Sequence, residues 1–335
     1  MLILTRADIQ RLIRMEDVIE AVATAHAALA RGTAHQSLEA PTPLTDGAVM
    51  LPMCAALESP AVAGVKVLTD VPGNRARAMP TQQSTITIID PLTGRCRGVL
   101  DGIEITRQRT AATSAVATRH LAGETVPTLG LIGAGAQASS HLRALTTVRE
   151  FERVTVWSRS RATAQQFAQR HAGNGPPIEI LDSPEAVVRS ADVLCTLTPS
   201  REPYIRGEWF TPGQHINAVG APPRPDHREI DTDGIVRSLL IVDDRAAATT
   251  RSGEVCIPIA EGAITSAHIH AELGQLVTGA RPGRTSEHQI TLFNSVGLAI
   301  QDIATASHIL DIAEAEGIGL RVNLSEPAPS TVSET

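Results

Sequence analysis

The run Leu129-Gly130-Leu131-Ile132-Gly133-Ala134-Gly135-Ala136-Gln137-Ala138 constrains the fold of this chain more than any other stretch. Its apolar first half reads as a short buried strand, Gly-x-Gly-x-x-Ala breaks it, and helix-forming residues continue to about Val148. A strand, a glycine turn and a helix in that order form a phosphate-binding fingerprint. Gly133 allows the tight turn, Gly135 lets the backbone approach a pyrophosphate, and Ala138 lets helix and strand pack closely. The helix N-terminus offers unpaired N–H groups to the anion.

Beyond Val148 the chain alternates between strand and helix. Strands are expected at Val154 to Trp157, Glu179 to Leu181, Val193 to Thr196, His215 to Val219 and Leu239 to Val242, with helical runs such as Ala162 to Arg170 between them. Such alternation implies a parallel sheet covered on both faces. Upstream, Thr5 can cap a first helix, a second runs from Met15 to Ala30 and stops at Gly32, and strand candidates lie at Val49 to Met53, Ala61 to Thr69 and Ser84 to Ile89. That pattern reads as a small mixed α+β domain. An Ala-rich helix from Gly102 to Leu121 should bridge the two, and one apolar-periodic helix from Ser295 to Ala315, stopped by Gly317, should return to the first. The fold class is therefore α/β: a Rossmann-type, doubly wound parallel-sheet domain, residues 114–296, inserted into an α+β domain built from residues 1–113 and 297–324. The tail, residues 325–335, is too polar and Pro-rich to order itself.

The 335 residues suffice for two domains. Only 2% are aromatic, so the core must come from Ala, Val, Ile and Leu, and few rings remain for stacking on bases. A net charge of -7 without a Lys/Arg cluster argues against a nucleic-acid surface. Cys54, Cys96, Cys195 and Cys256 are widely spaced without zinc-site spacing, which suits reduced thiols in a cytoplasmic protein. His268 and His270 beside Glu272 lack a third ligand, so no metal is expected. Arg6, Asp8 and Arg11 interrupt the apolar N-terminus, which is neither a signal peptide nor a membrane span.

An acid that grips the ribose 2′-hydroxyl of NAD belongs about twenty residues beyond the glycines. The second strand instead leads into Ser158-Arg159-Ser160-Arg161. Ser158 repels no 2′-phosphate, and Arg159 or Arg161 can pair with one, so NADPH is expected over NADH, with NADH still possible.

Several further motifs stand out: Gly64-Val65-Lys66-Val67, Thr106 to Ser114, Asn217-Ala218-Val219-Gly220, Arg224-Pro225-Asp226 with Arg228-Glu229, Ala271-Glu272-Leu273-Gly274 and Phe293-Asn294-Ser295-Val296-Gly297. With the glycine turn, they resemble the ornithine cyclodeaminase/mu-crystallin family over nearly the whole chain. The resemblance implies a nicotinamide-dependent enzyme acting on α-imino or α-amino acids, homodimeric through the α+β domain, with its small substrate bound between the domains. Lys66 and Arg109 would hold the substrate carboxylate and Asp226 would serve as acid/base. Ala136, Gln137, Thr81, Thr110, Thr198, Val219 and Ser295 would lie along the cofactor, together with Gly133, Gly135, Ser158, Arg159 and Ser160. Val296 would border the substrate, and Arg224 is a candidate second carboxylate holder.

An arginine and a glutamate of the ornithine cyclodeaminases have no counterpart in Ala40-Pro41-Thr42-Pro43-Leu44 and Ala48-Val49-Met50-Leu51-Pro52. The chain is closer to the mu-crystallin-like imine reductases. The expected reaction is NAD(P)H-dependent reduction of a ketimine, such as pyrroline- or piperideine-2-carboxylate, or of an acyclic imine of a keto acid, to the L-amino acid. Ornithine cyclodeamination, an alanine-dehydrogenase-like activity, a condensing reaction and a non-catalytic NADPH-binding role remain as alternatives.

Overall fold

The computed structural model describes residues 1–37, 41–77 and 79–324. The expectation for the tail 325–335 and the position of Ala40 lie outside these.

Among the described residues the strands form two sheets of eight. One is wholly parallel, in the order Ile178–Ile180, Arg153–Trp157, Thr128–Ile132, Val193–Thr196, His215–Ala218, Thr291–Asn294, Leu239–Val242, Ile269–Glu272. The first three strands in sequence run outward in one direction and the next two in the other, so the order reverses between Thr128–Ile132 and Val193–Thr196. That is the topological switch point at which doubly wound sheets bind ligands, beyond the carboxyl ends of their strands. All five residues of Thr128–Ile132 are buried, as a central strand covered on both faces requires.

The second sheet runs Leu320–Arg321, Leu2–Leu4, Cys96–Asp101, Gln82–Ile89, Ala61–Asp70, Val49–Glu58, Ala34–Gln36, with the two-residue strand Thr42–Pro43 as its eighth, also paired to Val49–Glu58. Its pairs are antiparallel except that Leu2–Leu4 runs parallel to Cys96–Asp101. Strands from both ends of the chain therefore share it. Its inner face is covered by the helix Ala299–Glu316, which ends where expected, at Gly317 in the left-handed conformation (φ 67°). Close approach of this helix requires glycine beneath it. A Cβ on Gly64 would lie 2.6 Å from the Thr87 carbonyl and 2.7 Å from Ile303 Cδ1, and one on Gly98 would lie 2.7 Å from Leu310 Cδ1.

The helix Gly102–Leu121 links the two sheets and spans the expected boundary at residue 113. Asp101 caps it by accepting from the Ile103 and Glu104 amides. Its small side chains let both cores close around it, and Ala111, Ala112, Ala115, Val116 and Ala117 are fully buried. Two expected boundaries are clearly off: the strand expected at Val49 to Met53 runs on to Glu58, paired along its whole length with Ala61–Asp70, and the last long helix starts at Ala299, not Ser295, because the chain bends through residues 295–297 with Gly297 at φ 81°.

Replacing Gly64 by Ala should destabilise the protein by about 1–3 kcal/mol, since the new methyl meets backbone on one side and packed Ile303 on the other. Urea denaturation checks this, and an unchanged midpoint would mean that helix and sheet do not pack so closely.

Candidate active site

Strand alternation turns Lys66 to the same inner face as Val62 and Gly64, where its side chain is 1% exposed. The ammonium donates to Thr106 Oγ1 (2.7 Å) and to Asp302 Oδ1 (3.1 Å). Arg109, one turn further along its helix than Thr106, donates from Nε to the same Asp302 oxygen (3.0 Å) and from Nη1 to Gln301 Oε1 (2.7 Å). The amide of Gln301 meets His26 Nε2 at 3.0 Å. Burial and the nearby Arg109 charge push His26 down to about 3, so this imidazole is neutral. Two cations thus share one buried carboxylate, leaving one positive charge in excess. Burial also brings Lys66 down to about 8; Arg109 pushes the same way and Asp302 opposes it.

These cations border a cavity of about 140 Å³. Its wall also holds Leu51, Met53, Leu68 and Val296, while Thr110, Gln137 and Ser295 bring in the dinucleotide-type domain. The wall at Val296 is held by Asp243, just beyond the strand Leu239–Val242. Asp243 Oδ2 accepts from Gly297 N (2.7 Å), Val296 N (2.9 Å) and Ser295 Oγ (3.3 Å). Burial drives this carboxyl up to about 7.

The glycine turn fits a pyrophosphate. Gly133 sits at φ 108°, and a Cβ there would lie 2.9 Å from the Leu197 carbonyl, so only glycine is accommodated. Above Gly135 a Cβ would meet nothing within 4 Å, and no side chain caps the helix Ala136–Val148 that this residue opens. Open space in front of uncapped amides is what an anion needs. The buried Gln137 Oε1 has no hydrogen-bond partner among the described residues.

A second cavity, of about 450 Å³, lies beyond the same sheet edge, lined by Trp157, Arg159, Thr198 and Tyr204 among others. Ser158 and Arg159 follow the strand that ends at Trp157. Ser160 is occupied as a helix cap, accepting from Thr163 N, and Arg161 is paired with Asp182. Arg159 is therefore the arginine that faces this cavity. The loops at this edge are tied together by Glu229, 0% exposed, which accepts from Thr198 Oγ1 (2.6 Å), Thr198 N (2.7 Å), Thr196 Oγ1 (2.7 Å) and Gly220 N (2.9 Å). Burial pushes Glu229 up against the opposing pull of these hydrogen bonds. The Val219 amide donates to the Thr196 carbonyl (3.2 Å), tying the same two loops.

Three expected site residues are not brought to the Lys66–Arg109 cavity. Asp226 stands in solvent, its carboxylate engaged by Arg201 (3.1 Å) and His227 (2.9 Å), which hold it charged and below the usual carboxylate range. Arg224 is drawn off by Asp70 at 2.6 Å, and its neighbour Pro223 lines the cavity instead. The backbone of Thr81 pairs with Val71, and it is Gln82 that reaches the cavity. Conversely, sequence reasoning passed over Asp302, Gln301, His26 and Asp243. His268 and His270 bond to the carbonyls of Ile235 and Pro282, and no group of three metal-ligating side chains occurs among the described residues. The four cysteines are free, and no described helix is long and apolar enough to cross a membrane.

The ornithine cyclodeaminase/mu-crystallin family model matches residues 1–317. The ketimine reductase mu-crystallin of Rattus norvegicus is 39% identical over 246 residues, covering 73% of this chain and 74% of that protein. Thermococcus litoralis Δ1-pyrroline-2-carboxylate reductase, solved with NADH and L-proline, superposes with a TM-score of 0.93 at 36% identity, over 96% of this chain and 100% of that one. An archaeal alanine dehydrogenase dimer with bound NAD gives 0.92 at 31%, over 96% and 99%. The family model's match to residues 1–317 and these likenesses over nearly the full length show that the chain belongs to the ornithine cyclodeaminase/mu-crystallin family.

Proposed function

We propose that this protein reduces a small α-imino acid to the L-amino acid with a nicotinamide cofactor, NADPH preferred, and that a five- or six-membered cyclic ketimine carboxylate is its substrate. The observation that carries this reading is the buried pair of cations sharing one carboxylate beside an open phosphate-binding turn. The excess positive charge suits one substrate carboxylate. Leu51, Met53, Leu68 and Val296 suit an uncharged ring, and none of the described residues lining the cavity is a carboxylate that would receive a second amine, as ornithine would require. The relatives named for ketimine and pyrroline-2-carboxylate reduction support the same reaction.

Bound cofactor supplies the hydride. Gly133, Gly135, Ala136 and Gln137 would receive its pyrophosphate, Ser158, Arg159, Thr198 and Val219 its adenosine end, and Thr110 and Ser295 the end facing the substrate. Lys66 uses two of its three protons on Thr106 and Asp302, and Arg109 uses Nε and Nη1, so one ammonium N–H and Nη2 remain for the carboxylate. Asp302 and Gln301 hold both cations in place, lowering the reorganisation needed when the anion arrives. Hydride addition to a protonated iminium leaves a neutral amine, which then takes up one proton. Asp226 is our choice to face that nitrogen. Its Cα lies within about 10 Å of the Pro223 Cα on the cavity wall, so closing the 220–228 loop would bring it in once it leaves Arg201 and His227.

With NADPH and pyrroline-2-carboxylate, Lys66→Ala and Arg109→Ala should each lower kcat/KM about 100-fold or more, because each removes a carboxylate donor together with the excess positive charge that receives the substrate anion. Wild-type kcat/KM should fall as pH rises through about 8, where Lys66 loses its proton, and Lys66→Arg should extend the plateau upward. Asp226→Asn should lower kcat about 100-fold at little changed KM. Steady-state kinetics over a pH series test all three, and full activity of the Ala variants would end the assignment.

Removing the 2′-phosphate contact by Arg159→Ala should raise KM for NADPH about 10-fold and leave that for NADH unchanged, since a hydrogen bond to a charged group contributes about 1.5–3 kcal/mol. Equal changes for both cofactors would take Arg159 away from the phosphate.

The protein also acts, we propose, as a homodimer. Opposite Lys66, the outer face of the antiparallel sheet carries Ala63, Val65 and Val67 paired with Ala56, Cys54 and Pro52; Val67 is 37% exposed and Cys54 is exposed too. An apolar sheet face of this kind calls for a partner surface. Light scattering should give twice the 35.4 kDa chain mass, and Val65→Asp should return it to the single-chain value. A wild-type monomer would refute the dimer.

A further inference from the structure

We propose that Asp243 is a positioning residue for the carboxylate site: by fixing the 295–297 turn it sets the pose of the Arg109 guanidinium. This rests on the reading of Arg109 as a carboxylate holder.

Asp243 lies at the carboxyl end of a parallel strand, beside the end of Thr291–Asn294, whose last residue pairs with Val242. The turn that leaves that neighbouring strand folds back over it. Three donors converge on the single oxygen Oδ2, two of them consecutive amides, while Oδ1 accepts from the Asp244 amide at 3.1 Å. Consecutive N–H groups aimed at one anion require the local chain reversal that Gly297 provides at φ 81°. The other side of this turn presses on Arg109: a Cβ on Gly297 would lie 2.8 Å from Nη1 and 2.9 Å from Nη2. Asp302 and Gln301 anchor Nε and Nη1, but Nη2 is flanked by the turn. The turn then continues into the helix carrying both anchors, and the Leu298 amide donates to Gln301 Oε1, the atom that also receives Arg109 Nη1. Shifting the turn thus changes both the space beside Nη2 and the orientation of its counter-groups. Asn at position 243, keeping its oxygen at the Oδ2 site, would turn an NH2 group toward the Asp244 amide, donor against donor.

The test is a double-mutant cycle in the enzyme with NADPH present, using pyrroline-2-carboxylate. Asp243→Asn, or Asp243→Ala, should raise KM for the imino acid about 10-fold with kcat and the NADPH KM within about 3-fold of wild type. In an Arg109→Ala background the same change should add less than about 2-fold, because its effect passes through a side chain already removed. Hydrogen exchange of the Val296 and Gly297 amides should accelerate in both Asp243 variants and stay slow in Arg109→Ala. Additive losses, or an equal rise in the NADPH KM, would reduce Asp243 to a general support of the fold and overturn the proposal. If the wild type reduces no imino acid, the functional reading fails by itself, and unchanged exchange at residues 296 and 297 would still overturn the pinning of the turn.

Discussion

The Asp302 carboxylate is the point on which the structure turns. It accepts from Lys66, 236 positions earlier in the chain, and from Arg109, 193 positions earlier, and all three are buried. Three charges in a protein interior cost several kcal/mol each to desolvate, and the cost is recovered only when geometry and counter-charges are right. That constraint brings the helix Ala299–Glu316 down onto the sheet until only glycine fits at position 64, and it locks the linking helix against both. The cluster is still one anion short. A ligand carboxylate would complete the charge balance, so the incompleteness that weakens the site as a stabilising element is what makes it a receptor.

Everything else at the site is brought there by the parallel sheet. Its strand order delivers the glycine turn, the Thr196–Thr198 loop, the Val219–Gly220 loop and the 295–297 turn to one edge, and two buried carboxylates hold the last three in register. Glu229 ties the second and third, and Asp243 holds the fourth. Both replace solvent by several fixed donors, which explains how loops without secondary structure of their own can form a precise surface.

Much of this was legible in the chain because it depends on local chemistry. The glycine turn, the helix Gly102–Leu121 and the stops at Gly32 and Gly317 come from backbone sterics and local propensity, and they fall where expected. Lys66 is different. A lysine flanked by Val65 and Val67 would by local chemistry alone extend toward water, and only the arrival of Asp302 from the far end of the chain holds it inward. Asp302 itself was invisible, since within an apolar-periodic helix an acid reads as a solvent-facing position. Asp243 was passed over, and Glu229 stood in a motif without a role, because their partners are amides and hydroxyls of loops distant in sequence. The start of the last helix was misjudged although Gly297 marked it, because apolar spacing outweighed the glycine. Asp226 and Arg224 sit in a motif the sequence singles out, but their nearest counter-charges, Arg201, His227 and Asp70, are visible only in three dimensions.

Joining the first and last strands in one sheet also sets the order in which the molecule can be made. A nascent chain has Lys66 and Arg109 early, yet nothing to neutralise them until residue 302 has left the ribosome. Until then the α+β half lacks its covering helix and its strand Leu320–Arg321, while the strands and helices of the parallel sheet are already nearly all present. Domains tend to fold as units during synthesis. The inserted half can therefore close first, while the charged site can be completed only once residue 302 is available.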